Sequence, residues 1–209
     1  MFADLGAALA SFGMPALAIV LFTIVVRIAL HPLYRAAVRG EKAKAKLAPE
    51  IAKLQKKYGK DLMRMSEESQ KVYKRNGVSM FAGMLPMLAT IPFFMVIYQV
   101  VTTPNPLLDG VLFGVPLSAH FMGTFSWVFF ALFGLLAVVA YLTVRWQQSR
   151  MAANPSPTPT PGFMNGLIKV LPFGTILVAA YLPLAAGLYL LTTTTWTIAE
   201  RALLYRILS

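Results

Sequence analysis

The sequence TIVVRIALHP, residues 23–32, places a single arginine in a segment that is otherwise apolar. From Pro15 to Leu30 the chain reads PALAIVLFTIVVRIAL, and Arg27 is its only charged residue. A lone arginine at the centre of a membrane helix costs about 2.5–3.5 kcal/mol on insertion scales, so such residues usually face a protein interior or a wet cavity and have a function. The stretch therefore predicts a membrane helix with a functional arginine.

The composition is typical of a membrane protein whose charges are segregated along the chain. Hydrophobic residues make up 57% of the sequence and charged residues 13%, yet the net charge is +11. Residues 34–77 hold 13 of the 19 lysines and arginines, and residues 104–122 hold none. Because basic residues concentrate on the cytoplasmic side of membrane proteins, the first segment is predicted to be cytoplasmic and the second extracytoplasmic.

Several function classes are disfavoured by the residues present. The sequence has no cysteine, which excludes disulfides and thiol chemistry. It also has no nucleotide-binding loop, no metal-ligand motif and no nucleophile–base set, so we expect no cofactor, no metal and no enzymatic activity. The basic segment lacks a nucleic-acid recognition motif, and attraction to anionic lipids explains its charge more simply.

Span lengths and charge predict an all-α integral membrane protein with five transmembrane helices and a cytoplasmic helical hairpin. The last apolar region, 163–199, is too long for one span, because such a helix would extend about 55 Å across a hydrocarbon core of about 30 Å. We therefore divide it at Tyr181-Leu182-Pro183. This arrangement places the N-terminus outside and the C-terminus in the cytoplasm.

The predicted segments follow one another without gaps. They are the N-terminal segment with the first span (1–33), the basic hairpin (34–77), the second span (78–103), an extracytoplasmic loop (104–121), the third span (122–145), a cytoplasmic linker (146–163), the fourth span (164–180), a turn with the fifth span (181–200) and a cytoplasmic tail (201–209).

The hairpin is predicted as two helices, about 34–57 and 61–75, joined by a turn at Tyr58-Gly59-Lys60. His31 and Pro32 are expected to end the first span, and Pro49 to interrupt or kink the first hairpin helix. Thin apolar stripes, which include Met65, recur at helical spacing on both helices and could pack against each other.

Five stretches, in this order, resemble the YidC/Oxa/Alb family of membrane protein insertases in its short, five-span form. The stretches are RIALHPL (27–33), LAPEIAKLQKKYG (47–59), RMSEESQKVYK (64–74), GMLPMLATIPFF (83–94) and AAGLYLLTTTTWTIAE (185–200). The order of the elements also matches, so the resemblance extends over nearly the whole chain. Thr90 stands where relatives commonly have glutamine, and Thr192–Thr195 where they often have an asparagine.

The resemblance implies a non-enzymatic insertase and chaperone of the bacterial cell membrane. Its hydrophilic intramembrane groove would open to the cytoplasm and to lipid, be closed outside, and contain Arg27. The implied partners are nascent membrane-protein clients, with anionic lipids, the ribosome and the Sec translocon as further candidates.

Other groove residues are candidates from their position. Thr23 and His31 lie four residues on either side of Arg27 and share its helix face. Polar residues at membrane depth also include Gln99, Thr192, Thr195 and Trp196. Helix packing is an equally weighted role for the threonines, and interfacial anchoring is an alternative for Trp196 and the favoured interpretation of His31. Glu200 and Asp109 lie near span ends, so no carboxylate is evident at the depth of Arg27.

Two other function classes are weighed against the insertase. A small transporter or channel would use Arg27 as an intramembrane anion site, but the sequence lacks the inverted repeats expected of a transporter. An intramembrane enzyme is disfavoured because the predicted spans contain no aspartate, no cysteine and no HExxH pair.

Overall fold

The computed structural model describes residues 2–11, 13–58, 61–79, 85–153 and 162–208. Within these ranges the chain is almost wholly helical, as the all-α prediction requires. The elements are α1 (Phe2–Ala10), α2 (Pro15–Tyr58), α3 (Leu62–Arg75), α4 (Leu85–Thr102), β1 (Val111–Leu112), β2 (Val115–Pro116), α5 (Trp127–Ala153), α6 (Gly162–Val170), a 3₁₀ helix (Leu171–Phe173), α7 (Gly174–Tyr181) and α8 (Leu184–Ile207). The two short strands pair antiparallel in one hairpin.

Helix α2 is 44 residues long and continues through both Pro32 and Pro49. The helix therefore continues past His31 and Pro32, where the first span is predicted to end, and Pro49 does not interrupt it. The position of the span boundary itself stays a prediction. A proline removes one backbone hydrogen bond, but contacts with neighbouring helices compensate for that loss. Here α2 contacts α8 on both sides of Pro32, through Arg27 and through Lys42.

The second half of α2 contacts α3, and the two form a helical pair whose cytoplasmic location stays a prediction. The end of α2 at Tyr58 and the bounds of α3 agree with the prediction to within about a residue, but the first helix has no start near residue 34, because it is continuous from Pro15. The side chain of Asp61 caps α3 by accepting a hydrogen bond from the backbone N–H of Arg64. Met65 is half-buried, Pro49 is exposed, and Gly59 lies outside the described residues.

The closely packed core occupies one end of the bundle, which we call the loop end because residues 103–126 lie there. Phe129, Leu107, Leu117 and Leu184 are fully buried in it. The loop also caps α8, since the backbone N–H groups of Leu184 and Ala185 donate to the carbonyls of Ala119 and Leu117 at 2.9 and 3.0 Å. These bonds satisfy donors that the first turn of a helix leaves free.

The last apolar region is divided at Leu182 and Pro183, as predicted. An additional break, which the sequence analysis did not predict, is the 3₁₀ turn that contains Pro172. At the other end, α8 does not stop at Glu200 but runs to Ile207, so the predicted fifth span and tail form one helix.

Among the described residues, two helices are long and apolar enough to cross a membrane, Pro15–Tyr58 and Trp127–Ala152. Thr90–Thr102 and Gly166–Tyr181 are shorter apolar helical stretches. The count of five spans and the membrane boundaries of each segment stay predictions.

The start of α2 approaches the loop so closely that Gly110 has no room for a side chain. A Cβ atom at Gly110 would lie 2.5 Å from Cγ and 2.6 Å from Cβ of Pro15. We expect Gly110→Ala to lower the free energy of unfolding by about 1–3 kcal/mol through overpacking. The measurement is the unfolding midpoint in detergent. The matched control is Gly134→Ala, whose added Cβ would meet no atom within 4 Å, and it should be neutral or stabilising. Equal unfolding midpoints for the two variants would contradict the close approach of Gly110 to Pro15.

Candidate functional site

Arg27 is buried between three helices and is held by neutral hydroxyl groups. Its side chain is on α2, and only 7% of the residue is exposed. Its Nε donates to Oγ1 of Thr193 on α8 at 2.9 Å, and its Nη2 donates to the same oxygen. Its Nη1 donates to the Tyr34 hydroxyl at 2.8 Å, which lies 3.1 Å from the hydroxyl of Thr90 on α4. One guanidinium group therefore links α2, α4 and α8.

No carboxylate among the described residues lies within 4 Å of the guanidinium. The ring of Tyr34 lies 5.5 Å from Cζ of Arg27 and adds a cation–π contact. A buried charge normally requires an ionic partner because hydroxyl dipoles compensate only part of its lost hydration. Arg27 therefore retains a positive potential that attracts an anionic group.

A cavity of about 720 Å³ lies beside Arg27. Its wall combines apolar surface with hydroxyl, amide and guanidinium groups. The polar lining residues are Arg27, Tyr34, Thr90, Thr143, Gln147, Thr175, Thr193, Thr194, Thr197 and Arg201. Ile91 and Phe94, at the α4 side of the wall, are 43% and 46% exposed, so this side of the cavity faces the surroundings of the protein.

Among the described residues, those that line the cavity include Arg27 but not Thr23, which lies one turn nearer the loop end. The space on that side is a void of only about 10 Å³, lined by Thr23, Phe93, Ile97 and Tyr189 among others. Beyond it lies the packed core of the loop end. Arg27 thus lies where the cavity closes.

A second polar cluster lies one turn further along α2. His31 Nδ1 lies 2.5 Å from Oε1 of Glu200, and the indole Nε1 of Trp196 donates to Oε2 of the same carboxylate at 3.1 Å. Glu200 is the one buried carboxylate in the described part of the chain. Both of its oxygens are therefore occupied by partners other than Arg27.

A third cluster joins α2, α5 and α8 at the end of the bundle from which the hairpin extends. The Tyr205 hydroxyl donates to Glu41 at 2.6 Å, and Lys42 Nζ donates to the Tyr205 carbonyl at 2.9 Å. Arg150 stacks 3.7 Å from the centre of the Tyr205 ring. Burial, followed by the hydrogen bond to Glu41, raises the pKa of Tyr205 to about 12, so the hydroxyl remains a donor at neutral pH.

Comparison with known proteins decides the family. A sequence profile described as "60Kd inner membrane protein" matches residues 8–209. The chain belongs to this family. Its relatives include "Membrane protein insertase YidC" of Mycobacterium tuberculosis (strain ATCC 25618 / H37Rv), which is 29% identical over 230 aligned positions covering 89% of this chain and 63% of that protein.

Two further relatives carry related names. The Streptomyces avermitilis "Membrane protein insertase YidC" is 30% identical over 217 positions, covering 91% of this chain and 51% of the relative. The Streptococcus pyogenes serotype M6 "Membrane protein insertase YidC 1" is 37% identical over 106 positions, which cover 49% of this chain and 38% of the relative. The chain thus spans between about two fifths and three fifths of the curated relatives it matches. The resemblance to the YidC/Oxa family is confirmed, and with its apolar helices this member of the 60Kd inner membrane protein family is a membrane protein.

The structure brings only part of the predicted groove set to the cavity of this 60Kd-family protein. Of the six candidates, Arg27 lines it. Thr23 is buried, donates to the Ile19 carbonyl at 2.7 Å and lines only the small void. The other four do not line the cavity. Gln99 and Thr195 are exposed, Thr192 donates to the Leu188 carbonyl at 2.8 Å, and Trp196 donates to Glu200.

The residues of α8 that do face the cavity were not among the six groove candidates, although two of them belong to the polar stretch 192–196. They are Thr193, Thr194, Thr197, Ile198 and Arg201. Their spacing of three, four and seven residues is that of one helix face. No local sequence signal separates Thr193 and Thr194 from Thr192 and Thr195, because that choice depends on the rotation of the helix in the bundle. Tyr34 was missed because it follows Pro32, where the helix was expected to end.

The bond between Arg27 and Thr193 is expected to stabilise the fold. Thr193→Val removes the acceptor of two guanidinium donors, and hydrogen bonds to charged groups contribute about 1.5–3 kcal/mol. We expect a loss of that size in the free energy of unfolding in detergent. Thr195→Val, on the exposed face of the same helix, is the matched control and should change it by less than about 0.5 kcal/mol. Equal losses would show that Thr193 does not anchor Arg27.

The contact between Tyr205 and Glu41 gives a separate test at the hairpin. Tyr205→Phe keeps the ring that Arg150 stacks on and removes only the hydroxyl. We expect the free energy of unfolding to fall by about 1 kcal/mol, the usual net contribution of one hydrogen bond. Tyr181→Phe, at a residue that is 79% exposed, is the control. An unchanged midpoint for Tyr205→Phe would contradict a stabilising contact.

Proposed function

We propose that the chain is a membrane protein insertase and chaperone that moves client transmembrane segments into the bilayer. The observation that carries the proposal is a buried arginine at the closed end of a cavity of about 720 Å³, with no carboxylate within 4 Å of it in the described part of the chain. The names of the relatives support the same function. The chemistry is binding and release of a polypeptide, and the proposal requires no enzymatic step.

The proposed orientation places the loop end outside and the hairpin in the cytoplasm. The net positive charge of residues 34–77 and the absence of lysine and arginine from residues 104–122 support this orientation. Five membrane spans, with the N-terminus outside and the C-terminus inside, then place the cavity within the cytoplasmic half of the bilayer. Its α4 side faces lipid.

The physical logic follows from the cost of moving polar chain through hydrocarbon. A client's polar tail must cross about 30 Å of apolar core. A polar cavity that reaches Arg27 shortens that crossing, and the hydroxyl groups of its wall replace part of the tail's hydration. An acidic residue on the tail is attracted to Arg27, while the hydrophobic segment that follows leaves through the lipid-facing side.

Release from Arg27 requires a driving force toward the outside. The membrane potential, positive outside, supplies about 2.3 kcal/mol per negative charge per 100 mV. This is comparable to the strength of one hydrogen bond to a charged group, so the potential is sufficient to draw an acidic tail onward. A site with a strong internal counter-ion would bind the tail less well.

The other proposed partners follow from the surface charge. The basic hairpin is suited to anionic lipid headgroups and to the ribosome, and a Sec translocon is a further candidate partner. Direct recognition of nucleic-acid sequence is not part of the proposal.

A small transporter or channel with an anion site at Arg27 is the alternative. The size of the cavity favours it, but the closed side beside Thr23 argues against a continuous pore, because a void of about 10 Å³ holds no more than about one water molecule. Uptake of small anions into liposomes, without insertion of a protein client, would favour the alternative.

Arg27 can be tested with two clients that differ only in tail charge. The purified protein is reconstituted in liposomes with an inside-positive potential and supplied with a single-span client whose short tail is either acidic or neutral. Arg27→Gln should lower insertion of the acidic client by about tenfold, equivalent to about 1.4 kcal/mol, and insertion of the neutral client much less. Protease protection of the tail is the measurement.

The control variant is Arg145→Gln, which removes an exposed arginine that does not line the cavity. It should leave both clients unaffected. If liposomes that contain the unsubstituted protein insert no more client than empty liposomes do, that result would contradict the insertase function. Equal losses for acidic and neutral clients in Arg27→Gln would contradict charge attraction at Arg27.

A further inference from the structure

Glu200 carries, within the protein itself, the same chemical group that Arg27 is proposed to bind on a client, a carboxylate. Its side chain is 4% exposed, and its two oxygens contact His31 and Trp196. Neither Glu200 nor His31 lines the large cavity. Glu200 lies near the end of the predicted fifth span, yet in the structure its carboxylate contacts His31, which is only one helical turn from Arg27.

The facing surfaces of α2 and α8 carry two polar layers. In the first, Arg27 contacts Thr193, and in the second, His31 contacts Glu200. Arg27 and His31 are separated by four residues, which is about 6 Å along a helix, and Thr193 and Glu200 by seven, which is about 10 Å. Helical side chains tilt toward the N-terminus, so the Glu200 carboxylate lies on the Arg27 side of its own backbone.

A free Glu200 would be drawn to Arg27. A buried carboxylate without an ionic partner is unstable, and Arg27, a buried arginine held by hydroxyl groups, lies one helical turn from His31 and would attract that carboxylate. An ion pair between the two would neutralise the charge at the closed end of the cavity. A client carboxylate would then compete with a group that is permanently tethered nearby, and tethering gives that group a high effective concentration.

We infer that His31 is a positioning residue that holds Glu200 away from Arg27 and so keeps the arginine free for an acidic client. The contact at 2.5 Å occupies one carboxylate oxygen, and the Trp196 indole occupies the other. The inference deepens the proposed function and rests on it. It also explains why Glu200 is buried next to the site without neutralising it.

Four proteins test the inference with the acidic and neutral clients described above. They are the unsubstituted chain, His31→Ala, Glu200→Gln and the double variant. We expect His31→Ala to lower insertion of the acidic client several-fold and to spare the neutral client. Glu200→Gln removes the competing charge, so alone it should have little effect, and in the double variant it should restore insertion. His31→Asn, whose amide nitrogen can still donate to Glu200, should retain most of the activity.

A purely structural contact predicts the opposite pattern. Both single variants would then be impaired to a similar degree for both clients, and the double variant would recover nothing. That result would overturn the inference while leaving the insertase function intact. Absence of insertion by the unsubstituted protein would instead remove the proposed function, and the two failures are therefore distinguishable.

Unfolding in detergent gives a readout that needs no activity. In the His31→Ala background Glu200 should pair with Arg27, so the two residues become energetically coupled. Adding Arg27→Gln should then lower the unfolding midpoint more than it does in the unsubstituted chain, and adding Glu200→Gln should abolish that difference. Equal shifts in both backgrounds would contradict the inference, even where His31→Ala itself is less stable.

Discussion

The arrangement of the bundle around its cavity depends on a positive charge balanced by hydroxyl groups. The Arg27 guanidinium contacts Thr193 on α8 and Tyr34 on α2, and Tyr34 lies against Thr90 on α4. Because these contacts satisfy its donors without a carboxylate, the group is fixed in place while much of its electrostatic potential remains. An ion pair would fix the same helices equally well and leave no attraction for a ligand.

The closed side of the cavity is maintained by packing at the loop end. Gly110 approaches Pro15 too closely to carry a side chain, and the carbonyls of Leu117 and Ala119 cap the start of α8. The loop thus packs against α2, which carries Arg27, and is hydrogen-bonded to α8, which carries Thr193. The division of the bundle into a packed end and a hollow end follows from this, since apolar side chains fill the first and threonines, with shorter side chains and polar tips, line the second.

Local sequence signals predicted the helices, the hairpin and the turn before Pro183, because apolar runs and turn residues act over a few positions. They did not predict that α2 continues as one helix through Pro32, where the local penalty of proline is outweighed by contacts of α2 with α8 on both sides. They identified the polar segment of α8 but not Thr193 within it, since that choice depends on the rotation of the helix. The pair of His31 and Glu200 joins residues 169 positions apart, which no local pattern reports.

The continuity of α2 determines how movement of the hairpin affects the site. Arg27 and Tyr58 lie on one helix, and the contact of Lys42 with α8 is near the midpoint between them. The Lys42 contact divides this part of α2 in two, and each part contains one proline. Pro32 lies between Arg27 and Lys42, and Pro49 lies between Lys42 and Tyr58. A helix bends most easily where a proline removes a hydrogen bond. Pro49 is thus the position at which a displaced hairpin tip would bend α2 most readily, and the Lys42 contact lies between Pro49 and Arg27. A bend at Pro49 would leave the part of α2 that carries Arg27, and its contact with Thr193, unchanged.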